Sequence, residues 1–405
     1  MCDIQDNDGK NRMNGKTIPV NNAVGMVLAH DITEIREKEF KGRAFKKGHV
    51  IKKEDVCHLQ RLGKENLFVL NIAGDEMHED DAAHALAGAL MGKGVAVKGV
   101  PREGKIDIIA ETDGLLKIDK DALLEFNMLG EVMCATLHNN SVVRKGQTVA
   151  GTRAIPLIVK KDIVQAAVRI GENSRSIIQV REIRKPKAGV VITGNEVYYG
   201  KVKDAFAPVI TDKIKAVGGE IVGIYYAPDD EKIIEDRLLE LIEAGADLLI
   251  TTGGMSVDPD DVTRFAIRNI GAGDITYGSA MLPGAMFLVA YVSAEANSRC
   301  LSTRKPGSTE EREIGSATVM KSVSLEEINI QNVTSELPSF RTSEPIPILG
   351  IPACGMYAKT TIFDLVLPRV LAGEKIGRRE LAELGHGGLC MKCEECRYPV
   401  CPFGK

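Results

Sequence analysis

The stretch LLITTGGMSVDPDDVTRF, residues 248–265, has the composition of an anion site. An apolar strand ends at Thr251 and Thr252, Gly253 and Gly254 let the backbone turn tightly, and a helix is expected to begin within Asp258 to Asp261. A strand, glycine turn and helix in that order present bare N–H groups and a helix dipole to a phosphate. Thr252 and Ser256 add hydroxyl donors. The plainer alternative is a tight turn whose aspartates only cap the helix. Asp258, Asp260 and Asp261 would repel a phosphate unless a cation such as Mg²⁺ lay between them. Three more glycine-bearing turns accompany this one. VVITGNEVYYG offers Thr193, Gly194, Asn195 and Glu196; MLPGAM offers Pro283 and Gly284; ILGIPACGM offers Gly350, Pro352 and Cys354. In a parallel sheet such turns can open on one edge, and four of them there would make an anion pocket.

The C-terminal LCMKCEECRYPVCPFGK carries a different chemistry. Cys390, Cys393, Cys396 and Cys401 stand at C-x-x-C-x-x-C-x-x-x-x-C spacing. Four soft donors are the number needed for tetrahedral zinc or a cubane iron–sulfur cluster. The first three resemble a ferredoxin half-motif, in which the fourth cysteine follows after three residues and precedes proline. Here four residues intervene, although Pro402 does follow Cys401. Iron–sulfur and zinc both fit, and exposed reactive thiols without metal are the bland alternative. The other cysteines are scattered, with Cys354 set apart by its place on a candidate pocket loop.

A third crowded stretch, DEMHEDDAAH, gathers Asp75, Glu76, His78, Glu79, Asp80, Asp81 and His84. Its histidines are six positions apart, which does not place them on one helix face. The expectation is structural: Asp80 or Asp81 caps an Ala/Leu helix, and first-turn acids suit its dipole.

The elements that must position these residues follow from apolar periodicity. From Ala188 onward, near-continuous apolar strands alternate with helices, as expected for a parallel sheet covered on both faces. The predicted strands are AGVVITG, EIVGIYYAP, ADLLITTGG, AMFLVAYV and IPILGIPACG. The predicted helices are Phe206–Val217, EKIIEDRLLELIEAG capped by Asp230, DDVTRFAIRNIG, and a long MYAKTTIFDLVLPRVLAGE that Pro368 kinks or ends. Residues 17–185 read as a β-rich α+β region, with helices near 52–62, 120–126 and 162–170. The fold class expected is α/β: a three-layer α/β/α domain with a mostly parallel sheet over 186–380, preceded by that β-rich region. Residues 1–16 read as a disordered tail, 294–345 as a flexible insertion, and 381–405 as a cysteine-rich metal-binding tail.

Bulk composition sets limits. The formal net charge of −4 gives no general attraction to nucleic acid or anionic membrane, so an anionic ligand needs a local site. No apolar run approaches the ~18 residues of a membrane helix. The polar start MCDIQDNDGKNRMNGK lacks a signal-peptide h-region, so a cytoplasmic location is expected. In that reducing setting clustered cysteines favour metal over disulfides.

TTGGMSVDPDD, TGNEV, MLPGAM and LGIPACGMYA resemble, in order and spacing, the turns of the molybdopterin-binding domain used in molybdenum cofactor biosynthesis. TIPVNNAVGMVLAHDI is similar to the opening of molybdopterin molybdenumtransferases, in which that domain is fused to β-rich ones. The likeness extends to molybdopterin-binding proteins of anaerobic bacteria, some with a cysteine-rich tail. The resemblance implies that Thr252, Gly253, Gly254 and Ser256 hold the phosphate of molybdopterin or adenylylated molybdopterin. It makes Asp261 the acidic Mg²⁺ or reaction-centre residue, with Glu196 nearby. It further implies molybdate or tungstate as co-substrate, a homodimer, and an activity that either adenylylates molybdopterin or, with Mg²⁺, exchanges the adenylate for the metal oxyanion in metal insertion. Leu282 and Ala285 stand where the family's loop carries lysines, and Asn195, Asp258 and Ala353 also depart from its pattern. Such oxyanion donors contribute ~3 kcal/mol each, so the departures bear on insertion more than on binding. A non-catalytic carrier or maturation factor, using the tail to serve a molybdoenzyme client, is the alternative. Nucleotide hydrolysis is a third, since competence-damage proteins share a TTGG…DD turn.

Overall fold

The structure, a computed structural model, describes residues 15–36, 40–70, 72–174, 176–254, 262–293 and 344–404. The chain divides into two units, residues 1–182 and 183–405.

In the second unit the apolar runs become β1 (Lys187–Thr193), β2 (Glu220–Ala227), β3 (Leu248–Thr252), β4 (Ala272–Tyr277), β5 (Leu288–Val292) and β6 (Ile346–Ile351). The helices are α1 (Asn195–Tyr198), α2 (Phe206–Ala216), α3 (Glu231–Glu243), α4 (Thr263–Asn269), α5 (Ile362–Leu371) and α6 (Arg378–Glu383). The strands form one sheet in the order β2-β1-β3-β6-β5-β4. The first four in that order run parallel, whereas β5 and then β4 pair antiparallel.

The apolar runs lack alternation because both faces are covered. Val190 and Ile192 of β1 pack with Ile210 and Ile214 of α2 and with Phe363 and Val366 of α5. Val191 between them joins a second core with Ile234 and Leu238 of α3 and with Ala266 and Ile267 of α4. Successive residues of one strand therefore feed two layers, as the two-residue period of a strand requires. The expected three-layer, mostly parallel α/β class is the one the chain forms.

Register decides which turns meet. Thr252 pairs with Ile192 on one side and Ile351 on the other, while Gly350 pairs with Leu288. The exits of β1, β3 and β6 and the entrance of β5 thus share the carboxyl edge. At the opposite edge Val292 pairs with Ile346.

Two helix expectations need correction. The helix placed over MYAKTTIFDLVLPRVLAGE begins only at Ile362, because Thr361 and Asp364 form a capping box that starts it there. Before it lies a 3₁₀ turn, Ala353–Met356. Pro368 sits inside α5 without ending it, since Ala372 N–H still reaches Pro368 O at 3.0 Å. Helix α4 begins at Thr263, later than expected, with Val262 at its N-cap and no side-chain cap. Asp258, Asp260 and Asp261 lie outside the described residues, as does residue 294 through 343 of the expected insertion.

The first unit is described from residue 15. Gly15–Pro19 is a strand paired antiparallel with Asn66–Leu70, Gly15 opposite Leu70. A four-stranded antiparallel sheet places 132–136, 148–154, 105–110 and 95–102 side by side. Helix Glu79–Leu90 lays Ala82, Leu86 and Leu90 against Ile108 and Ala150 of that sheet. Its cap is His78, not Asp80 or Asp81: the ring accepts Asp80 N–H through Nδ1 at 3.2 Å, and its Nε2 bonds to Gly48 O. A carbonyl only accepts, so Nε2 carries the proton and the imidazole's two nitrogens are both used. Glu79 meets Arg153 at 3.3 Å, Asp75 meets Lys160 at 2.8 Å, and Asp80 accepts Gly104 N–H at 3.0 Å. Asp75, His78, Glu79 and Asp80 therefore each serve a neighbouring group of the fold. Among the described residues no helix is long and apolar enough to cross a membrane.

Candidate functional site

The turn after β3 is built to be narrow. Gly253 has φ +78° and Gly254 φ +54°, and a Cβ on either would strike its neighbours. At Gly253 it would lie 2.4 Å from Thr193 O, and at Gly254 2.2 Å from Thr263 Oγ1. Only glycine satisfies both the left-handed backbone and the close approach.

Thr193 ties the two strand ends together. Its Oγ1 donates to Thr252 O at 2.7 Å and lies 3.2 Å from Thr263 Oγ1. With its proton committed to Thr252 O, Thr193 accepts from Thr263, so it positions the turn. Thr263 had no signal in the sequence beyond its place in the helix. Thr251 and Thr252 are fully buried, and their Oγ1 atoms have no hydrogen-bond partner among the described residues. Buried hydroxyls are nearly always bonded, so two orphans at one strand end mark the edge chemically. Ser256 and Asp261, assigned with them from the sequence, lie outside the described residues.

Beyond β1, Gly194 has φ +135° and Glu196 is exposed, its carboxylate folded back over Gly194, where a Cβ would come within 2.8 Å of Oε1. Asn195 is locked to Asp229 in both directions: Asn195 N–H donates to the carboxylate at 3.1 Å and Asp229 N–H to Asn195 Oδ1 at 3.3 Å. On the loop before β5, Gly284 has φ +129° and a Cβ there would lie 2.5 Å from Ile362 Cγ2. That close packing joins the Pro283–Gly284 turn to the start of α5. Gly350 lies within β6 and Pro352 opens the 3₁₀ turn that carries Cys354. The structure thus brings Thr193, Gly194, Thr251, Thr252, Gly253, Gly254, Pro283, Gly284, Gly350 and Pro352 to a single sheet edge.

The cysteine segment folds onto that edge. Leu389 bridges Leu282 in parallel, with Leu282 N–H to Gly388 O and Cys390 N–H to Leu282 O, each at 2.8 Å. Phe403 is buried in the core that holds Phe363 and Val366. A cavity of about 820 Å³ results, lined by Pro283, Cys354, Lys359 and Thr360 together with Cys390, Cys393, Cys396 and Cys401. Lys359 is held by its carbonyl, which accepts from Lys213 Nζ at 3.1 Å while Lys213 also pairs with Asp364. Sequence reasoning missed Lys359 and Thr360, which become site residues only because the tail packs against them.

The thiols are not equivalent. A hydrogen bond from the Thr360 hydroxyl, a second from Tyr398 N–H and the nearby Lys359 ammonium hold Cys396 below the ordinary thiol range. Burial pushes Cys354 up, and burial also pushes Tyr398 up to about 12. Among the described residues no three Cys, His, Asp or Glu side chains are grouped to hold an ion, so the four thiols share a cavity but do not form a closed coordination sphere.

Residues 189–372 match the family described as "Probable molybdopterin binding domain", and residues 17–71 match a domain of unknown function (DUF8806). The chain is 40% identical over 77 residues to a CinA-like protein of Mycobacterium avium (strain 104), covering 19% of this chain. It spans 18% of the length of that curated relative. Among solved structures, the tungsten cofactor synthesizing protein MoaB from Pyrococcus furiosus is 15% identical, with 48% of this chain and 99% of that one covered and a TM-score of 0.29. The molybdopterin biosynthesis MoeA protein from Pyrococcus horikosii is 14% identical, covering 91% and 75%, with a TM-score of 0.28. Residues 189–372 thus form a domain that matches the probable molybdopterin binding family.

Proposed function

We propose that the carboxyl edge of the second unit's sheet binds molybdopterin, or its adenylate, and that the chain catalyses Mg²⁺-assisted insertion of molybdenum or tungsten in the manner of a molybdopterin molybdenumtransferase. The observation that carries this reading is the pair of buried hydroxyls of Thr251 and Thr252, without a partner among the described residues, at the glycine turn of the matched domain. In this reading Thr252, Gly253, Gly254 and Ser256 receive the ligand's phosphate. Asp261 holds Mg²⁺ and Glu196 stands beside the reaction centre. Gly194, Pro283, Gly284, Gly350 and Pro352 shape the walls, and molybdate or tungstate is the co-substrate. The protein acts in the cytoplasm as a homodimer.

Thr252→Val keeps the side chain's shape and removes the hydroxyl. If that hydroxyl bonds a phosphate, molybdopterin affinity of the full chain should fall ~10- to 100-fold, as for a hydrogen bond to a charged group. Asp261→Asn should leave binding and abolish insertion. Equal molybdopterin affinity in Thr252→Val and the parent chain would overturn the reading.

A second reading is favoured by the cavity that the tail cysteines share with Pro283 and Cys354. Here the protein is a carrier that presents cofactor to a molybdoenzyme client, with zinc or an iron–sulfur cluster on the tail thiols. Replacing Cys393 and Cys396 by serine would then stop client maturation and leave cofactor affinity unchanged.

A further inference from the structure

The cysteine segment is tied at both ends and open between them. At its start, Leu282 exchanges hydrogen bonds with Gly388 and Cys390; at its end, Gly404 N–H donates to Gly387 O at 2.9 Å beside the buried Phe403. One sulfur between the ties accepts a backbone N–H: Cys390 Sγ accepts from Lys392 N–H at 3.5 Å. Lys392 adopts φ +51° at this point, a left-handed conformation that a residue with a side chain avoids. An N–H···S turn of this kind suits a ligated thiolate, which accepts such a bond more strongly than a neutral thiol and is oriented by it. Cys393 and Cys401 line the same cavity, and Thr360 Oγ1 lies 3.5 Å from Cys396 Sγ.

The four thiols are not yet gathered around one point. Cys393 and Cys396 are exposed, so their sulfurs can move without leaving a core. The two ties have already closed the loop that carries them, which removes most of the chain entropy that gathering would otherwise cost.

We infer that this segment is a metal-dependent latch. A thiophilic divalent cation draws Cys390, Cys393, Cys396 and Cys401 together, releases their protons to solvent, and closes the cavity over Pro283 and Cys354. Its effect on ligand rests on the molybdopterin site proposed above. Because the same cavity wall includes the Pro283 turn, cation and ligand then change each other's affinity by the same factor.

The test uses the full chain, reduced and oxygen-free, titrated with Cd²⁺. The expected result is one Cd²⁺ per chain, read by thiolate-to-metal charge-transfer absorption, with slowed amide hydrogen exchange in both 391–402 and 354–360. Cys396→Ser should lose the absorption, and Cys57→Ser, at an exposed thiol in the other unit, should keep it. Absent thiolate absorption overturns the latch, and so does Cd²⁺ binding that leaves exchange in 354–360 unchanged. Molybdopterin titrations with and without Zn²⁺ form a separate arm. An affinity unmoved by Zn²⁺ overturns the linkage. A chain that binds Cd²⁺ and protects 354–360 yet takes up no molybdopterin supports the latch and overturns the proposed function.

Discussion

Residues 75–84 and residues 390–401 both crowd metal-type side chains into a short stretch, and the fold treats them in opposite ways. In the first, His78 uses both ring nitrogens, Glu79 is buried against Arg153, and Asp75 and Asp80 have their own partners. In the second, Cys393 and Cys396 are exposed, and the Thr360 hydroxyl lies 3.5 Å from Cys396 Sγ. Density of ligand-type residues is therefore a poor guide to a site. What separates the two is that the buried ligand-type side chains of the first, His78 and Glu79, are already committed to neighbours, whereas the outermost thiols of the second are exposed.

That contrast can be broken at its anchors. Phe403→Ala should have the largest effect: a buried phenylalanine replaced by alanine costs roughly 3–5 kcal/mol, and urea unfolding of the full chain should show it. A cost under ~1 kcal/mol would mean that the tail is not part of the core. His78→Ala comes next, because it removes a helix cap and a buried hydrogen bond, worth ~2 kcal/mol together. Stability that instead falls only when chelator is added to the parent chain would make the first cluster a metal site.

The smallest effect separates thiols within the tail. Cys396 is held below the ordinary thiol range, chiefly by the Thr360 hydroxyl. A lowered thiol pKa means that the thiolate persists as pH falls, so iodoacetamide should alkylate Cys396 faster than Cys393 by ~2- to 5-fold near neutral pH. The excess rate at Cys396 should fade above the ordinary thiol range, where its lowered pKa no longer adds thiolate. Thr360→Val should narrow it at neutral pH, and an unchanged gap would remove Thr360 as its cause.

The sheet was legible because strands buried on both faces carry almost no polar residue, and because glycine turns mark their exits. Asp230 showed itself as a cap, and it accepts Ile233 N–H at 3.0 Å. The start of α5 was missed: Thr361 and Asp364 form its capping box, but the apolar run around them suggested a longer helix. His78 as a cap was not legible, since histidine is not a usual capping residue and its second bond goes to Gly48, thirty positions away. Lys359 and Thr360 were hidden for the same reason: their neighbours come from the tail, and no local pattern announces a long-range contact. The burial of the Thr251 and Thr252 hydroxyls, unpartnered among the described residues, is likewise a property of packing, although both threonines were singled out.

The pairing of Val292 with Ile346 has a consequence for how this protein can vary. The residues flanking 294–343 are cross-strand partners, so the chain leaves and re-enters the sheet at nearly one place. They do so at the edge away from the glycine turns. The entropy of closing a loop grows only with the logarithm of its length, so sequence can be added or lost there at small energetic cost. Such a junction lets a lineage, or an engineer, graft new peptide onto the domain while the ligand edge keeps its register.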